Sequence, residues 1–190
     1  MKTIACLGDS NTFGYDPQSL WGERYAKEVR WTGRLEAAGF RVHNFGMNGL
    51  GLSRTSVFPV LVREAADVSP DLVTVMLGTN DLLMGISAKE TVRLMKGLLS
   101  LLLERFEVGQ VLLIAPPTLQ PGTWVQGEEM IRESSALREE YRRLAERTGV
   151  RFADVGEWGI PAAYDGVHFT EEGHKRFGEK MMWILGYWIN

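Results

Sequence analysis

The sequence predicts an α/β fold with a parallel sheet, because two kinds of apolar segment alternate along the chain. Short runs rich in Val, Ile and Leu recur, and each ends in Gly, Asn, Asp or Pro. Runs of this length and composition are typical of buried parallel strands. Longer stretches with the apolar spacing of helices separate the runs, as the crossover connections between parallel strands require.

Each element follows from its own pattern, in chain order. We predict strands near residues 3–7, 41–44, 72–77, 111–115 and 151–154, and helices near residues 31–38, 56–66, 88–106, 128–148 and 170–187. The last helix has the clearest beginning, since Thr170 suits an N-cap and Glu171 and Glu172 place acidic groups in the first turn.

The chain length favours one domain spanning residues 1–190. A chain of 190 residues with 45% hydrophobic content can bury one good core but not two. The alternation of strands and helices continues without a repeat or a flexible linker. The longest irregular stretch, residues 116–127, contains three prolines and Trp124. It could be a wall of a substrate site or a connection without a binding role, and both interpretations stay open.

Charge and cysteine content limit the possible partners. The formal charge of −3 comes from 21 basic and 24 acidic residues that are interspersed, so we expect a small-molecule substrate and no nucleic acid. The apolar run at the N-terminus is too short for a signal peptide, and we expect no membrane span. The single cysteine, Cys6, has apolar neighbours that favour a buried core position. Together these features favour a cytoplasmic protein.

Polar segments follow the predicted strands, at the edge where open parallel sheets bind ligands. The first strand is followed by Gly8-Asp9-Ser10-Asn11-Thr12, the second by Asn44 to Gly49, the third by Gly78-Thr79-Asn80-Asp81, and the last by Asp165-Gly166-Val167-His168. In this order, the four segments resemble the conserved blocks of the SGNH/GDSL hydrolases. The resemblance implies a flavodoxin-like three-layer α/β/α sandwich with a five-stranded parallel sheet, and it covers nearly the whole chain.

The chemistry of ester hydrolysis explains three of these residues. A serine hydroxyl is a weak nucleophile at neutral pH, so Ser10 needs a base to accept its proton. His168 suits that task because imidazole can accept and return a proton near neutrality. Asp165 precedes it by three residues and could orient the ring. Ser10, His168 and Asp165 are therefore the predicted catalytic residues.

The resemblance also implies an oxyanion hole. Its expected donors are the backbone N–H groups of Ser10 and Gly49 and the side-chain amide of Asn80, which would bind the negative oxygen of the intermediate. We expect Asp9 and Asp81 to hydrogen-bond the loops around them rather than to take part in catalysis. Neither a metal ion nor another cofactor is needed for this chemistry.

Two tryptophans are candidates for the substrate pocket. Trp31 could line it, although a packing role is an equal alternative, and Trp124 lies in the irregular loop. The remaining histidines, His43 and His174, lie in a predicted strand and helix, where structural roles are more common. The last helix ends in an almost wholly apolar stretch that includes Trp183. Such a stretch is either deeply buried or covered by another subunit, so we predict a homo-oligomer.

Three further segments narrow the expected substrate. Arg30-Trp31-Thr32-Gly33, Leu52-Ser53-Arg54-Thr55 and His168-Phe169-Thr170-Glu171 resemble the small intracellular arylesterase and acyltransferase branch of the superfamily. This resemblance implies a carboxylic ester hydrolase for short-chain acyl or acetyl esters, sugar esters among them, acting through an acyl-serine intermediate. The alternatives are a lysophospholipase or thioesterase for longer acyl chains and, from another class, a non-catalytic carbohydrate-binding module.

Overall fold

The computed structural model describes residues 1–19, 21–125 and 127–188, and of residues 187 and 188 it describes only the backbone. Five strands in this part form one parallel sheet: β1 (Thr3–Gly8), β2 (Arg41–Gly46), β3 (Leu72–Met76), β4 (Val111–Ala115) and β5 (Arg151–Asp154). Their order is β2-β1-β3-β4-β5, with Cys6 of β1 in register with Asn44 of β2 and Thr74 of β3. This is the flavodoxin-like order, and it confirms the predicted fold class.

Seven α-helices occur within the described residues. They are α1 (Ser10–Phe13), α2 (Trp31–Ala37), α3 (Phe58–Asp67), α4 (Thr79–Leu83), α5 (Ala88–Leu103), α6 (Glu128–Thr148) and α7 (Glu171–Trp188). The five long helices lie where the apolar spacing predicts them, although α3 begins later because residues 55–57 form a 3-10 turn. The short helices α1 and α4 were not predicted, and both begin at the polar segments that follow strands.

The sheet is covered on both faces, which gives the three predicted layers. Alternate residues of the central strands point to opposite sides. Ala5, Leu7 and Val75 belong to one core cluster with residues of α3, α5 and α6. Ile4 and Cys6 belong to a second cluster with residues of α2 and α7. Cys6 is fully buried, as predicted, and burial raises the pKa of its thiol to about 12.

Local contacts explain where the last helix begins and how it packs. The hydroxyl of Thr170 accepts the N–H of Gly173 at 3.0 Å, so Thr170 caps α7 as predicted. Met181 and Leu185 of α7 are buried against the sheet, whereas Trp183 is 71% exposed. The side chain of Trp188, part of the predicted apolar end, lies outside the described residues. The homo-oligomer therefore stays a prediction, with Trp183 as a position that a second copy would cover.

Among the described residues, the model contains no helix that combines the length and the apolar character needed to cross a bilayer.

Candidate active site

A tight turn between β1 and α1 places Ser10 at the carboxyl edge of the sheet. The side chain of Asp9 caps α1 by accepting the N–H of Asn11 at 3.0 Å. Gly8 is required before it, because a Cβ there would lie 2.1 Å from the hydroxyl oxygen of Thr12. Since Ser10 is the first residue of α1, its N–H has no carbonyl partner within the helix. Both its N–H and its hydroxyl are thus placed at the sheet edge where ligands bind.

Ser10, His168 and Asp165 form one hydrogen-bonded chain, although 158 residues separate the first two. The hydroxyl oxygen of Ser10 lies 2.9 Å from Nε2 of His168. On the other side of the ring, Nδ1 lies 2.7 Å from Oδ2 of Asp165. All three side chains are buried, and Ser10 keeps 6% of its surface exposed. With a proton on Nδ1 donated to Asp165, Nε2 is left free to accept the proton of Ser10.

Asp165 is held as an anion by its neighbours. Burial by itself would raise the pKa of its carboxyl, but hydrogen bonds outweigh burial and the pKa is lowered below its usual value. Besides the ring of His168, the backbone N–H groups of Val167 and His168 donate to Oδ1, each at 2.9 Å. A carboxylate that accepts three hydrogen bonds stays charged at neutral pH and fixes the orientation of the imidazole.

Gly49 and Asn80 line the same pocket as Ser10, Gly49 on the loop after β2 and Asn80 in α4, and hydrogen bonds join this loop to the helix. Gly49 has a φ of +67°, which favours glycine. The amide of Asn80 donates to the carbonyl of Leu50 at 3.2 Å. Asp81 accepts the N–H groups of Leu52 and Ser53 at 2.7 and 2.9 Å, as expected for a loop-holding residue. These bonds fix the Gly49 loop relative to α4.

A small open pocket joins these groups. Its volume is about 190 Å³, and its lining comprises Ser10, Tyr15, Asn48, Gly49, Asn80, Trp124 and His168. The predicted residues Ser10, Gly49, Asn80, His168 and Trp124 therefore meet at one place. Asp165 lies behind them.

Two lining residues were missed in the sequence, Tyr15 and Asn48. The ring of Tyr15 lies 4.6 Å from that of His168, and Trp124 contacts the same imidazole edge-on at 5.0 Å. Tyr15 follows Gly14, whose φ of +90° ends α1 and turns the chain back toward the pocket. An aromatic residue directly after such a glycine is the signal that could have indicated Tyr15.

The prediction that Trp31 lines the pocket is wrong. Trp31 is only 1% exposed, and its ring packs against Phe177 at 4.8 Å in the core between the sheet and α7. Its indole N–H donates to the carbonyl of Asn11 at 3.0 Å. A buried tryptophan needs a partner for this N–H, and the nearby carbonyl in α1 supplies it. Trp31 thus packs in the core and holds α1 through this hydrogen bond, which is the packing role given as the alternative.

Residues 120–124 of the irregular segment include Trp124 and pack tightly on the Asp165 loop. The N–H of Trp124 donates to the carbonyl of Asp165 at 3.1 Å, and that of Gln120 donates to the carbonyl of Gly166 at 3.0 Å. A Cβ on Gly122 would lie 2.3 Å from the backbone of Asp165. The two loops can approach this closely only because a glycine stands at the contact.

Other ionisable groups around the site are buried. Burial raises the pKa of Asp9 to about 6, despite the hydrogen bond from Asn11. His174 is fully buried, and burial, with the charges of Arg30 and Arg34, lowers the pKa of its imidazole to about 3. His174 lies outside the pocket lining. Among the described residues, no three His, Cys, Asp or Glu side chains lie together so that they could hold a metal ion.

The comparisons with known proteins identify the family. The model of the GDSL-like lipase/acylhydrolase family matches residues 6–176, which is most of the chain. The chain belongs to the GDSL-like lipase/acylhydrolase family. This membership makes it an ester hydrolase of the serine type, and the family is the one that the sequence blocks resemble. None of the curated proteins compared with this GDSL hydrolase matches it.

Several solved structures resemble this GDSL hydrolase over nearly the full length of both chains. A native aryl esterase from M. smegmatis shares 28% sequence identity, with a TM-score of 0.82 over 99% of this chain and 100% of that chain. A carbohydrate acetylesterase from Sinorhizobium meliloti shares 25%, with a TM-score of 0.82 over 98% and 99%. A member of the lipolytic G-D-S-L family from Veillonella parvula shares 18% and a TM-score of 0.75, over 97% and 98%, which shows the fold alone.

Proposed function

We propose that this GDSL hydrolase cleaves short-chain acyl esters through an acyl-serine intermediate, with Ser10 as nucleophile. The observation that carries the proposal is the unbroken hydrogen-bonded chain from Asp165 through His168 to Ser10. The Ser10 hydroxyl attacks the ester carbonyl while Nε2 of His168 accepts its proton. The charged imidazole formed in this step is stabilised by the carboxylate of Asp165.

The oxyanion formed by the attack needs donors that are already in position. The N–H of Ser10 points out of the first turn of α1, Gly49 lines the same pocket, and Asn80 has one amide hydrogen left after its bond to Leu50. We assign these three groups to the oxyanion hole. Collapse of the intermediate transfers the proton from His168 to the departing alcohol and leaves the acyl group on Ser10. A water molecule, activated by the same histidine, then releases the acid.

Pocket size favours a short acyl group. The pocket measures about 190 Å³, below the roughly 300 to 1,000 Å³ that is usual for drug-sized ligands. The rings of Tyr15 and Trp124 stand next to His168 and bound the space beside the nucleophile. A long acyl chain would need a channel past these rings, which argues against a lysophospholipase or a long-chain thioesterase.

The alcohol part of the substrate faces Trp124. This side chain is 49% exposed, so its ring can contact an aryl group or a sugar face outside the pocket. Two proteins similar in fold and sequence support this proposal. The aryl esterase of M. smegmatis supports an aryl leaving group, and the carbohydrate acetylesterase of S. meliloti supports a sugar. The intact chain of three side chains also argues against a non-catalytic carbohydrate-binding module.

The test is hydrolysis of p-nitrophenyl esters of increasing acyl length, beside acetylated sugars, by the wild type and by Ser10→Ala. We expect the highest kcat/KM for acetate or propionate, and a loss of kcat of about 10³-fold or more in the variant. Ser53→Ala is a matched control, because Ser53 lies on the loop bound by Asp81 but does not line the pocket. Activity that survives in Ser10→Ala, or that peaks at long chains, would contradict the proposal.

A further inference from the structure

The residue after the nucleophile holds the segment that carries the histidine. Asn11 is 4% exposed, and its side-chain amide makes two hydrogen bonds to backbone groups on either side of His168. Nδ2 donates to the carbonyl of Val167 at 3.1 Å, and Oδ1 accepts the N–H of Phe169 at 2.9 Å. The two ends of the amide thus bind the two chain neighbours of the histidine.

The contacts of His168 itself complete this arrangement. Its N–H donates to Asp165 at 2.9 Å, and its carbonyl accepts the N–H of Ala163 at 2.7 Å. The carbonyl of Val167, the N–H and carbonyl of His168 and the N–H of Phe169 therefore all have hydrogen-bond partners. Asn11 supplies the bonds that connect the backbone of this segment to α1, the helix that begins with Ser10.

Asn11 is also fixed at its own backbone. Its N–H is bound by Asp9, and its carbonyl accepts the indole N–H of Trp31 at 3.0 Å. Every polar group of Asn11 thus has a partner inside the protein. A rigid residue of this kind can transmit the position of α1 to the histidine segment.

We infer that Asn11 is a positioning residue, which sets the distance between the hydroxyl of Ser10 and Nε2 of His168 without contacting substrate. The inference rests on the proposed function of Ser10 and His168. An uncharged amide is needed because Val167 offers an acceptor and Phe169 offers a donor. Leucine fills similar space but binds neither, whereas an ionised aspartate accepts from Phe169 and repels the carbonyl of Val167.

Asn44 offers a matched control. Its amide also binds α1, by donating to the carbonyl of Thr12 at 2.7 Å, and it accepts the N–H of Gly46 at 2.8 Å. It lies on β2 and has no bond to residues 167–169. Replacing Asn44 by leucine removes a comparable set of hydrogen bonds from the same helix while the connection to the histidine segment stays intact.

The experiment compares Asn11→Leu with Asn44→Leu in the full chain. Active sites are titrated with diethyl p-nitrophenyl phosphate, and the rate of p-nitrophenolate release in the first turnover reports how well Ser10 is activated. We expect Asn11→Leu to lose about 10- to 100-fold in this rate and in kcat, because a small displacement of a reacting group has such an effect. KM for p-nitrophenyl acetate should stay near the wild-type value, and Asn44→Leu should keep most of its rate.

Asn11→Asp supplies a second readout in case the leucine variant does not fold. A protonated carboxyl can donate to Val167 and accept from Phe169, as the amide does. The ratio of kcat/KM between Asn11→Asp and the wild type should therefore rise as the pH falls. A ratio independent of pH, or equal rate losses in Asn11→Leu and Asn44→Leu, overturns the inference. Activity of Ser10→Ala would instead overturn the proposed function, so the two failures can be told apart.

Discussion

Oδ2 of Asp81 accepts the backbone N–H of Leu52 at 2.7 Å, which ties the loop after β2 to α4. Oδ1 accepts the next N–H, that of Ser53, so both oxygens bind one loop. Gly49 precedes these residues, and Asn80 precedes Asp81. One buried side chain therefore sets the relative position of two of the proposed oxyanion donors.

Asp81→Asn should separate these donors. An amide has one acceptor oxygen, so its NH₂ would face one of the two N–H groups that the carboxylate accepts. We expect a loss of about 1 to 3 kcal/mol in the free energy of unfolding and a clear fall in kcat. Urea denaturation and steady-state kinetics on p-nitrophenyl acetate measure the two effects.

Asp71→Asn is the control for Asp81→Asn. Oδ2 of Asp71 accepts the N–H of Thr3 at 2.8 Å, but this contact lies at the opposite, amino-terminal edge of the sheet. Its replacement should cost some stability and leave kcat unchanged. Equal kcat values in the two variants would show that catalysis does not depend on the hydrogen bonds between Asp81 and the loop after β2.

The sequence predicted the parts of this site that depend on residue type and chain order. Strand ends fall at one edge of a parallel sheet, so the sequence alone predicted that Ser10, Asn80 and His168 lie close together. Asp165 could be paired with His168 because it precedes the histidine by only three residues. These expectations use local patterns, which the sequence displays directly.

The orientation of individual aromatic side chains could not be predicted in the same way. The sequence left Trp31 equally open to a pocket or a packing role, and the structure shows packing: its indole N–H donates to the carbonyl of Asn11 and its ring enters the core. Tyr15 enters the pocket because the chain reverses at Gly14 and bridges to Arg24. Both outcomes depend on contacts between segments that are distant along the chain.

Asp165→Asn tests whether the carboxylate of Asp165 sets the tautomer of His168 and stabilises its charged ring. The amide can still accept the N–H of His168 at its oxygen, but it cannot stabilise a charged ring and can favour the wrong tautomer. We expect kcat to fall by roughly 10³- to 10⁴-fold, with a smaller change in KM. Steady-state kinetics at pH 8 measures this loss.

Asp154→Asn is a matched control for the loss of a carboxylate. Asp154 is bonded to Arg138 at 2.8 Å and to Arg142 at 2.8 Å, and it holds α6 against the end of β5. Removing this charge should lower the unfolding midpoint but preserve kcat. If Asp165→Asn behaved in the same way, its carboxylate would be structural.

Tyr15→Ala should broaden the range of acyl chains. The ring of Tyr15 bounds a pocket of about 190 Å³ next to His168, so its removal adds room beside the nucleophile. We expect the ratio of kcat/KM for hexanoate over acetate to rise by about 10-fold or more, because each buried methylene contributes about 0.8 kcal/mol. Tyr15→Phe keeps the ring and should keep the wild-type preference. An unchanged acyl-length preference in Tyr15→Ala would indicate that the acyl group does not bind beside Tyr15.

His174→Asn should make stability less dependent on pH below neutrality. Burial lowers the pKa of His174 to about 3, against 6.5 for an exposed histidine, and Arg30 and Arg34 contribute in the same direction. Between these two pH values the unfolded chain binds a proton that the folded chain excludes. The stability due to neutral His174 is therefore complete above pH 6.5 and is lost as the pH falls, by up to about 1.4 kcal/mol per pH unit.

The measurement is the free energy of unfolding in urea at several pH values between about 7 and 4. In the wild type, the His174 contribution adds to that of the acidic groups, so the difference between the wild type and His174→Asn isolates it. In the wild type, Nδ1 of His174 accepts the backbone N–H of Trp31 at 3.5 Å, and the side-chain oxygen of asparagine can accept the same N–H. Parallel curves for the wild type and His174→Asn would mean that His174 takes up its proton without unfolding.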